Sequence, residues 1–260
     1  MAFDFTGRRI LAVIPHPDDE SYSMAGTLAI CVLGGAEVKI VCATRGETGT
    51  DRRGIATNGE HLAQIRSVEL ARSCAVLGVD TLQFLNWPDG AVSKVLPDDA
   101  VSDLGGILAS FEPDIVITLG ADGVYGHVDH LSLTRWVSLA VASLVPRKPL
   151  RVLHTAFPRR LFRSVRRKLE RYADGSLLGA IRERDLGCDR EEADVVVNMS
   201  RMADHKIRAI QAHASQLKDN DPHSFIERGL IDHLLEEEWF MLVSGPPFSD
   251  GAEHLFSGLD

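Results

Sequence analysis

The chain has 260 residues, 45% of them hydrophobic and 25% charged. These are ordinary proportions for a soluble globular protein, with length enough for one large α/β domain and a sizeable core. A formal net charge of −9 argues against general nucleic-acid binding, which needs a positive field to replace phosphate counterions.

No apolar run approaches the ~20 residues needed to cross a bilayer. The first residues lack the basic start of a signal peptide, so the expectation is a cytoplasmic protein with no integral membrane association. Cys31, Cys42, Cys74 and Cys188 are far apart, with no C-x-x-C pair. They suit neither a disulfide framework nor a thiolate zinc site.

In chain order, Arg9–Ile14 reads as a buried strand, 23–33 as a helix stopped by Gly34 and Gly35, and Glu37–Cys42 as a second strand. A Gly- and Thr-rich loop, 44–59, leads to a helix over 60–77 that ends at Gly78. A strand over 81–85 closes on the turn Trp87-Pro88-Asp89-Gly90. A helix over 98–111, a strand over 114–118 and a helix over 129–144, stopped before Pro146, follow. Beyond them, 152–157, Val195–Asn198 and 239–243 read as strands and 202–213 as a helix. Residues 159–187 fit no clean sheet element and read as an insertion or lid within a single domain spanning 1–260.

This βαβα rhythm implies an α/β fold, a Rossmann-like three-layer sandwich whose mainly parallel sheet carries helices on both faces. Sites in such folds collect beyond the carboxyl ends of the strands. Four loops with chemical content fall there: His16 to Glu20, Gly46 to Gly49, Pro88 to Gly90, and His127 to His130.

Pro15-His16-Pro17-Asp18-Asp19-Glu20 packs one imidazole and three carboxylates directly after a strand. His127-Val128-Asp129-His130 adds two imidazoles and another carboxylate. Imidazole nitrogen and carboxylate oxygen are good zinc ligands, and catalytic zinc commonly takes three protein ligands and leaves one position open. Either segment alone is as readily a turn or a helix cap. Both at strand ends of one sheet point to a metal site. Amide hydrolysis needs an activated water, a Lewis acid on the carbonyl and a proton donor, and adjacent carboxylates at one turn can serve metal and water separately.

The segments His16-Pro17-Asp18-Asp19-Glu20, Thr44-Arg45-Gly46-Glu47-x-Gly49 and His127-x-Asp129-His130 resemble the signatures of the LmbE-like, or PIG-L, deacetylases. Those are zinc-dependent enzymes acting on N-acetylglucosamine-containing compounds. Arg66-x-x-Glu69, Leu77-Gly78, Pro88-Asp89-Gly90, Lys206 and His213-x-Ser215-Gln216 fall in the family's order, so the resemblance covers most of the chain apart from 159–187. It implies His16, Asp19 and His130 as ligands of Zn2+ or another divalent ion, with Asp18 as general base. His127, as an imidazolium, stabilises the oxyanion or protonates the departing amine. Tyr125 matches a tyrosine contacting the reacting carbonyl, and Asp129 orients a neighbouring histidine.

Glu47, Arg66 and Asp89 are candidates for substrate contact, each with a plainer reading. Glu47 sits in a glycine-flanked turn, Arg66 is placed for an i,i+3 ion pair with Glu69, and Asp89 lies in a Pro-Asp-Gly turn, with support of a histidine as its other functional reading. Glu20 is read as favouring a helix N-terminus, and His213 and Gln216 as a helix end and its cap. The arginines at 159, 160, 163, 166, 167 and 171, with Lys168, surround Leu161, Phe162, Val165 and Leu169. This basic amphipathic segment suits a solvated helix face first, and a membrane surface or an anionic substrate second.

The expected activity is removal of acetyl from a small N-acetylated sugar or its conjugate. Two rivals stay open: an amidase of the same family cleaving a larger acyl group, and a non-catalytic Rossmann-like binding domain. The second is disfavoured, because His-Pro-Asp-Asp-Glu replaces the G-x-G-x-x-G that lets pyrophosphate approach the first turn. A homo-oligomer is left open.

Overall fold

The computed structural model describes residues 3–145, 148–159, 161–172, 178–224 and 231–259. Pro146 and Arg160 lie outside them, as do the side chains of Lys168 and Leu169.

Among the described residues, seven strands form one sheet in the order β3-β2-β1-β4-β5-β7-β6. β1 (Arg9–Ile14), β2 (Glu37–Cys42), β3 (Thr81–Phe84), β4 (Ile115–Thr118) and β5 (Arg151–Ala156) are mutually parallel. β7 (Glu237–Ser244) runs antiparallel to both β5 and β6 (Val195–Asn198). The expected α/β sandwich and mainly parallel sheet are therefore observed.

Period-two alternation explains why β1 is apolar throughout. Ile10, Ala12 and Ile14 pack into one core, and Leu11 and Val13 into the other. On the first face lie α2 (Ala25–Leu33), α3 (Gly59–Leu77) and α8 (Ala203–Ala212). On the second lie α4 (Pro97–Phe111) and α6 (Val128–Ala142). Each fully buried Ile or Leu contributes about 1.5–3 kcal/mol relative to exposure. The chain order reverses between β1 and β4, and the crevice beyond their carboxyl ends is where ligands bind in open α/β sheets.

Local signals set most boundaries. Asn58 caps α3 by accepting the His61 N–H at 2.8 Å, and Gly78 ends it at φ 75. Pro97 occupies the first turn of α4.

The helix expected over 23–33 is observed as α2, starting two residues later, and a separate short helix α1 (Asp19–Ser23) precedes it, the two broken at Met24. The cause is distant in sequence. The Glu238 carboxylate of β7 accepts the Gly26 and Thr27 N–H groups at 3.0 and 2.7 Å, so α2 starts afresh there. Lys206 Nζ of α8 pairs with Glu238 Oε1 at 2.7 Å, and both side chains are essentially inaccessible. Removing one partner of a buried pair strands the other charge, at a cost of about 3–5 kcal/mol. Lys206→Met should therefore lower the melting temperature markedly in thermal unfolding; an unchanged midpoint would show that Glu238 needs no countercharge.

Within 159–187 the chain forms α7 (Arg163–Tyr172), followed by a short turn at Glu183–Asp185. Four of its described arginines are paired with acids. Arg159 pairs with Asp189 and Glu192, Arg163 and Arg167 with Glu183, and Arg166 with Glu170. The solvated-face reading therefore gains support over the membrane and anionic-substrate readings. Among the described residues, no helix is long and apolar enough to cross a membrane. The four cysteines are free, as expected.

Candidate metal centre and active site

β1 delivers His16 to the crevice through a loop whose carbonyls are fastened down. Thr44 N–H and Oγ1 both donate to the Pro15 carbonyl at 3.0 Å, and Arg66 Nη2 donates to that of Pro17 at 2.6 Å. Asp18 then takes φ 129, a conformation costing about 1–3 kcal/mol and found where function demands it. That kink turns Asp18 and Asp19 in different directions. The Asp19 carboxylate faces two imidazoles, while Asp18 Oδ2 accepts from Arg66 Nη2 at 3.1 Å.

Three groups converge. His16 Nδ1 lies 3.3 Å from His130 Nε2 and 3.3 Å from Asp19 Oδ2, and His130 Nε2 lies 3.5 Å from Asp19 Oδ1. A tetrahedral ion with bonds of 2.0–2.1 Å sets its ligand atoms about 3.3–3.4 Å apart. The three groups thus form a triangle in which the nitrogens are spaced as two ligands of a zinc-type tetrahedron and each faces a different oxygen of the Asp19 carboxylate, and this donor set fits a divalent metal.

The remaining ring nitrogens fix the tautomers. His130 Nδ1 donates to the Gly123 carbonyl at 3.1 Å, leaving Nε2 a lone pair. His16 Nε2 meets Asp89 Oδ1 at 3.2 Å and Asp129 Oδ2 at 3.3 Å, so a neutral ring with its proton there turns the Nδ1 lone pair toward His130 and Asp19. Carboxylate or carbonyl partners of this kind orient metal-binding histidines and raise their basicity.

A second triad, His16, Asp89 and Asp129, also clusters within 4.8 Å. Its carboxylates are already engaged. Asp129 accepts N–H groups from Gly90 and Val92 at 2.7 and 3.1 Å, and Asp89 Oδ2 accepts from the Thr48 N–H and hydroxyl at 2.8 and 2.7 Å. These residues brace His16 from behind.

His127 also lies within 4.8 Å of His16 and His130, measured between ring nitrogens. Its Nδ1 accepts the Asp129 N–H at 3.2 Å and so caps α6. The neutral ring must then carry its proton on Nε2 and present a donor rather than a lone pair. Burial, reinforced by the neighbouring His130 and His16 rings, holds its pKa well below the ordinary histidine value. A ring so held offers an Nε2–H donor beside the cavity.

The short helix α5 (Gly123–Gly126) precedes it and is distorted. Val124 sits at φ 67, ψ −61, the strained γ-turn conformation, which is exceptional for a β-branched residue. This turn brings the Tyr125 ring to 5.8 Å from His127 and 5.3 Å from His130, centroid to centroid.

A cavity of about 250 Å³ opens on this group, lined by His16, Asp18, Asp19, Arg66, Asp89, Tyr125 and His127 of the expected residues. Asp129 and His130 stand behind them, 0% and 1% exposed. Burial pushes the Asp18 carboxyl up to about 6, against the opposing pull of Arg66.

Several expectations change. Arg66 does not pair with Glu69: it holds Asp18 and the carbonyls of Pro17 and Gly46. Gly46 lacks a side chain because a Cβ there would lie 2.2 Å from Arg66 Nη1. Glu69 instead holds Ser215, accepting its N–H and hydroxyl at 2.7 Å each. Glu47 does not line the cavity; its carboxylate accepts the Asp89 N–H at 2.9 Å and braces that turn. Glu20 is wholly buried, accepting from Ser73 at 2.6 Å and meeting His213 Nε2 at 2.7 Å, so it links α1 to α3 and to the end of α8. His213 is indeed the C-cap of α8.

The motifs missed part of the wall. Tyr22, Phe157 and Phe162 supply an aromatic side, and Thr50, Arg52 and Gln216 a polar one. Gln216 alone carried a signal, as part of His213-x-Ser215-Gln216. The others come from segments whose proximity appears only in the fold.

The chain is similar to known proteins over most of its length. The chain is 30% identical to a 1D-myo-inositol 2-acetamido-2-deoxy-α-D-glucopyranoside deacetylase from Thermobispora bispora, over 92% of this chain and 89% of the relative. Among solved structures it resembles an N,N'-diacetylchitobiose deacetylase from Pyrococcus horikoshii, with TM-score 0.61 and 24% identity, covering 91% of this chain and 84% of that one. It also resembles the 4-carboxy-2-hydroxymuconate hydratase GalB from Pseudomonas putida, with TM-score 0.64 and 16% identity, covering 94% and 99%. A deacetylase and a hydratase sharing this architecture show that the fold alone does not select the reaction. The family model described as PIG-L, GlcNAc-PI de-N-acetylase, matches residues 11–141, half of the chain and nearly all of the metal-centre motifs, and the chain belongs to that family.

Proposed function

We propose that the protein is a zinc-dependent hydrolase that removes the acetyl group from an N-acetylglucosamine-type conjugate. The observation that carries this reading is the approach of His16 Nδ1 and His130 Nε2, 3.3 Å apart, to the Asp19 carboxylate, whose Oδ2 and Oδ1 lie 3.3 and 3.5 Å from them respectively. Its partner is a small molecule, the whole chain acts as one domain, and the setting is cytoplasmic.

His16, Asp19 and His130 would hold the ion. When bound, it supplies Lewis-acid polarisation of the amide carbonyl and acidifies water. Asp18, outside the triangle and oriented by Arg66, accepts the proton of the attacking water. A carboxyl held near 6 is better poised for this at neutral pH than an ordinary aspartate.

As the oxygen–carbon bond forms, the carbonyl oxygen gains charge, and the Nε2–H of neutral His127 donates to it, with Tyr125 beside it. The amine leaves only once protonated. Neutral His127 cannot give up its remaining proton readily, so the proton taken by Asp18 passes to the nitrogen as the carbon–nitrogen bond breaks. Acetate and a free amino sugar result.

The test is amine and acetate release from N-acetylglucosamine and from its 1D-myo-inositol conjugate. Equal amounts of the two products should appear, stop on chelation and return with zinc. No release from either compound by metal-loaded protein would overturn the reading.

A further inference from the structure

Residues 159–187, which carry none of the family's motifs, meet the strained turn beside the site at several points. Arg166 Nη1 donates to the Tyr125 carbonyl at 3.1 Å. The Gly179 N–H donates to the Gly126 carbonyl at 2.7 Å, and Leu178 bridges to His127 in antiparallel fashion. The Gly187 N–H donates to Asp122 Oδ2 at 2.8 Å, while Asp122 Oδ1 accepts the Val124 N–H at 2.9 Å.

Arg166 stands apart from Arg167 on the same helix. Its side chain is 9% exposed against 63%, and it points inward rather than to solvent. Its Nε donates to Glu170 Oε1 at 2.7 Å, which orients the guanidinium. The fit against the turn is close, since a Cβ on Gly126 would lie 2.3 Å from Arg166 Nη1. A strained backbone persists only where its surroundings over-determine it. The two residues that follow Val124 without a break are Tyr125 and Gly126, and His127 comes next.

We infer that Arg166 is a positioning residue for the reaction: through the Tyr125 carbonyl it holds the turn that presents Tyr125 and His127 to the cavity. The segment is thus a clamp on the site's oxyanion side. Arg166 touches neither substrate nor reacting atoms and acts through the main chain. The kinetic part of this inference rests on the deacetylase reading, and the spectroscopic part does not.

Arg166→Met tests it, with the exposed Arg167→Met as control. Displacing catalytic groups by about 1 Å can cost 100-fold in rate, so kcat should fall about 10- to 100-fold with KM and metal content unchanged. Arg166→Lys, which keeps the cation, should recover part of the loss and serves as the test if the Met variant does not fold. In a His127→Ala background, Arg166→Met should cost clearly less than in the unaltered protein, the remainder acting through Tyr125, because residues acting through one another are not additive.

Independently of turnover, the ring-nitrogen NMR signals of His127, identified by their loss in His127→Ala, should shift in Arg166→Met and stay fixed in Arg167→Met. A folded Arg166→Met protein with unmoved His127 signals, or multiplicative losses in the double variant, would overturn the inference. If the unaltered protein releases no amine, the deacetylase reading fails and the NMR comparison decides alone.

Discussion

Asp18→Asn is expected to keep its metal and lose most of its turnover, with kcat falling about 10²–10⁴-fold, the usual contribution of a general base. The geometry makes this substitution unusually clean. Asn tolerates positive φ better than other non-glycine residues, and position 18 sits at φ 129. The amide oxygen can still accept from Arg66 Nη2, now 3.1 Å from Asp18 Oδ2. The fold, the cavity and the three converging ligands therefore remain, and only the ability to take a proton is removed. Elemental analysis and steady-state rates on the same preparation check both halves. Turnover near that of the unaltered protein would remove Asp18 from the proposed chemistry, and loss of metal would move it among the ligands.

His130→Ala should give the opposite pattern, a protein that folds but retains little divalent metal. Losing a mere hydrogen-bond partner of a metal-binding histidine costs about 10–100-fold in metal affinity. Losing the ligand itself should exceed that, and turnover should fall with occupancy. His130 sits in the first turn of α6, where its removal opens space but breaks only one bond to the main chain, that to the Gly123 carbonyl. Metal titration by calorimetry or by a competing chelator measures the effect. Full retention would leave His130 outside the ligand set. Taken together, the two variants separate metal binding from proton transfer, which a single inactive variant cannot do.

Much of the site was legible because its residues are clustered in sequence. His16 to Glu20 and His127 to His130 each follow an apolar strand, and strand ends in a parallel sheet fall on one rim. The apolar alternation of β1 and the turn glycine at 78 set their elements with little outside help. Asp129 was expected to steady a histidine and is found between His16 and two backbone N–H groups.

Partnerships across long separations were not legible. Arg66 and Glu69 are three apart on α3 and invite a local pair, yet each is drawn to a different loop, Arg66 to Asp18 and Glu69 to Ser215. A buried guanidinium or carboxylate goes where its hydrogen bonds are best satisfied, and periodicity along a helix carries no record of loops packed over it. The break at Met24 has the same origin, since the carboxylate that caps α2 lies on β7. The ion pairs of the basic segment were hidden for the same reason, since its acids, Glu183, Asp189 and Glu192, come later in the chain and meet the arginines only after folding.

By itself, then, the sequence determined the sandwich, the rim and the chemical types gathered there, because strand alternation and short motifs are local properties of the chain. Only the tertiary structure decided which ring nitrogens face the convergence point, that His127 Nδ1 accepts the Asp129 N–H, and that Arg166, Leu178 and Gly179 meet the turn bearing His127. Tautomers and backbone strain are set by partners that folding alone brings within about 3 Å, the reach of a hydrogen bond.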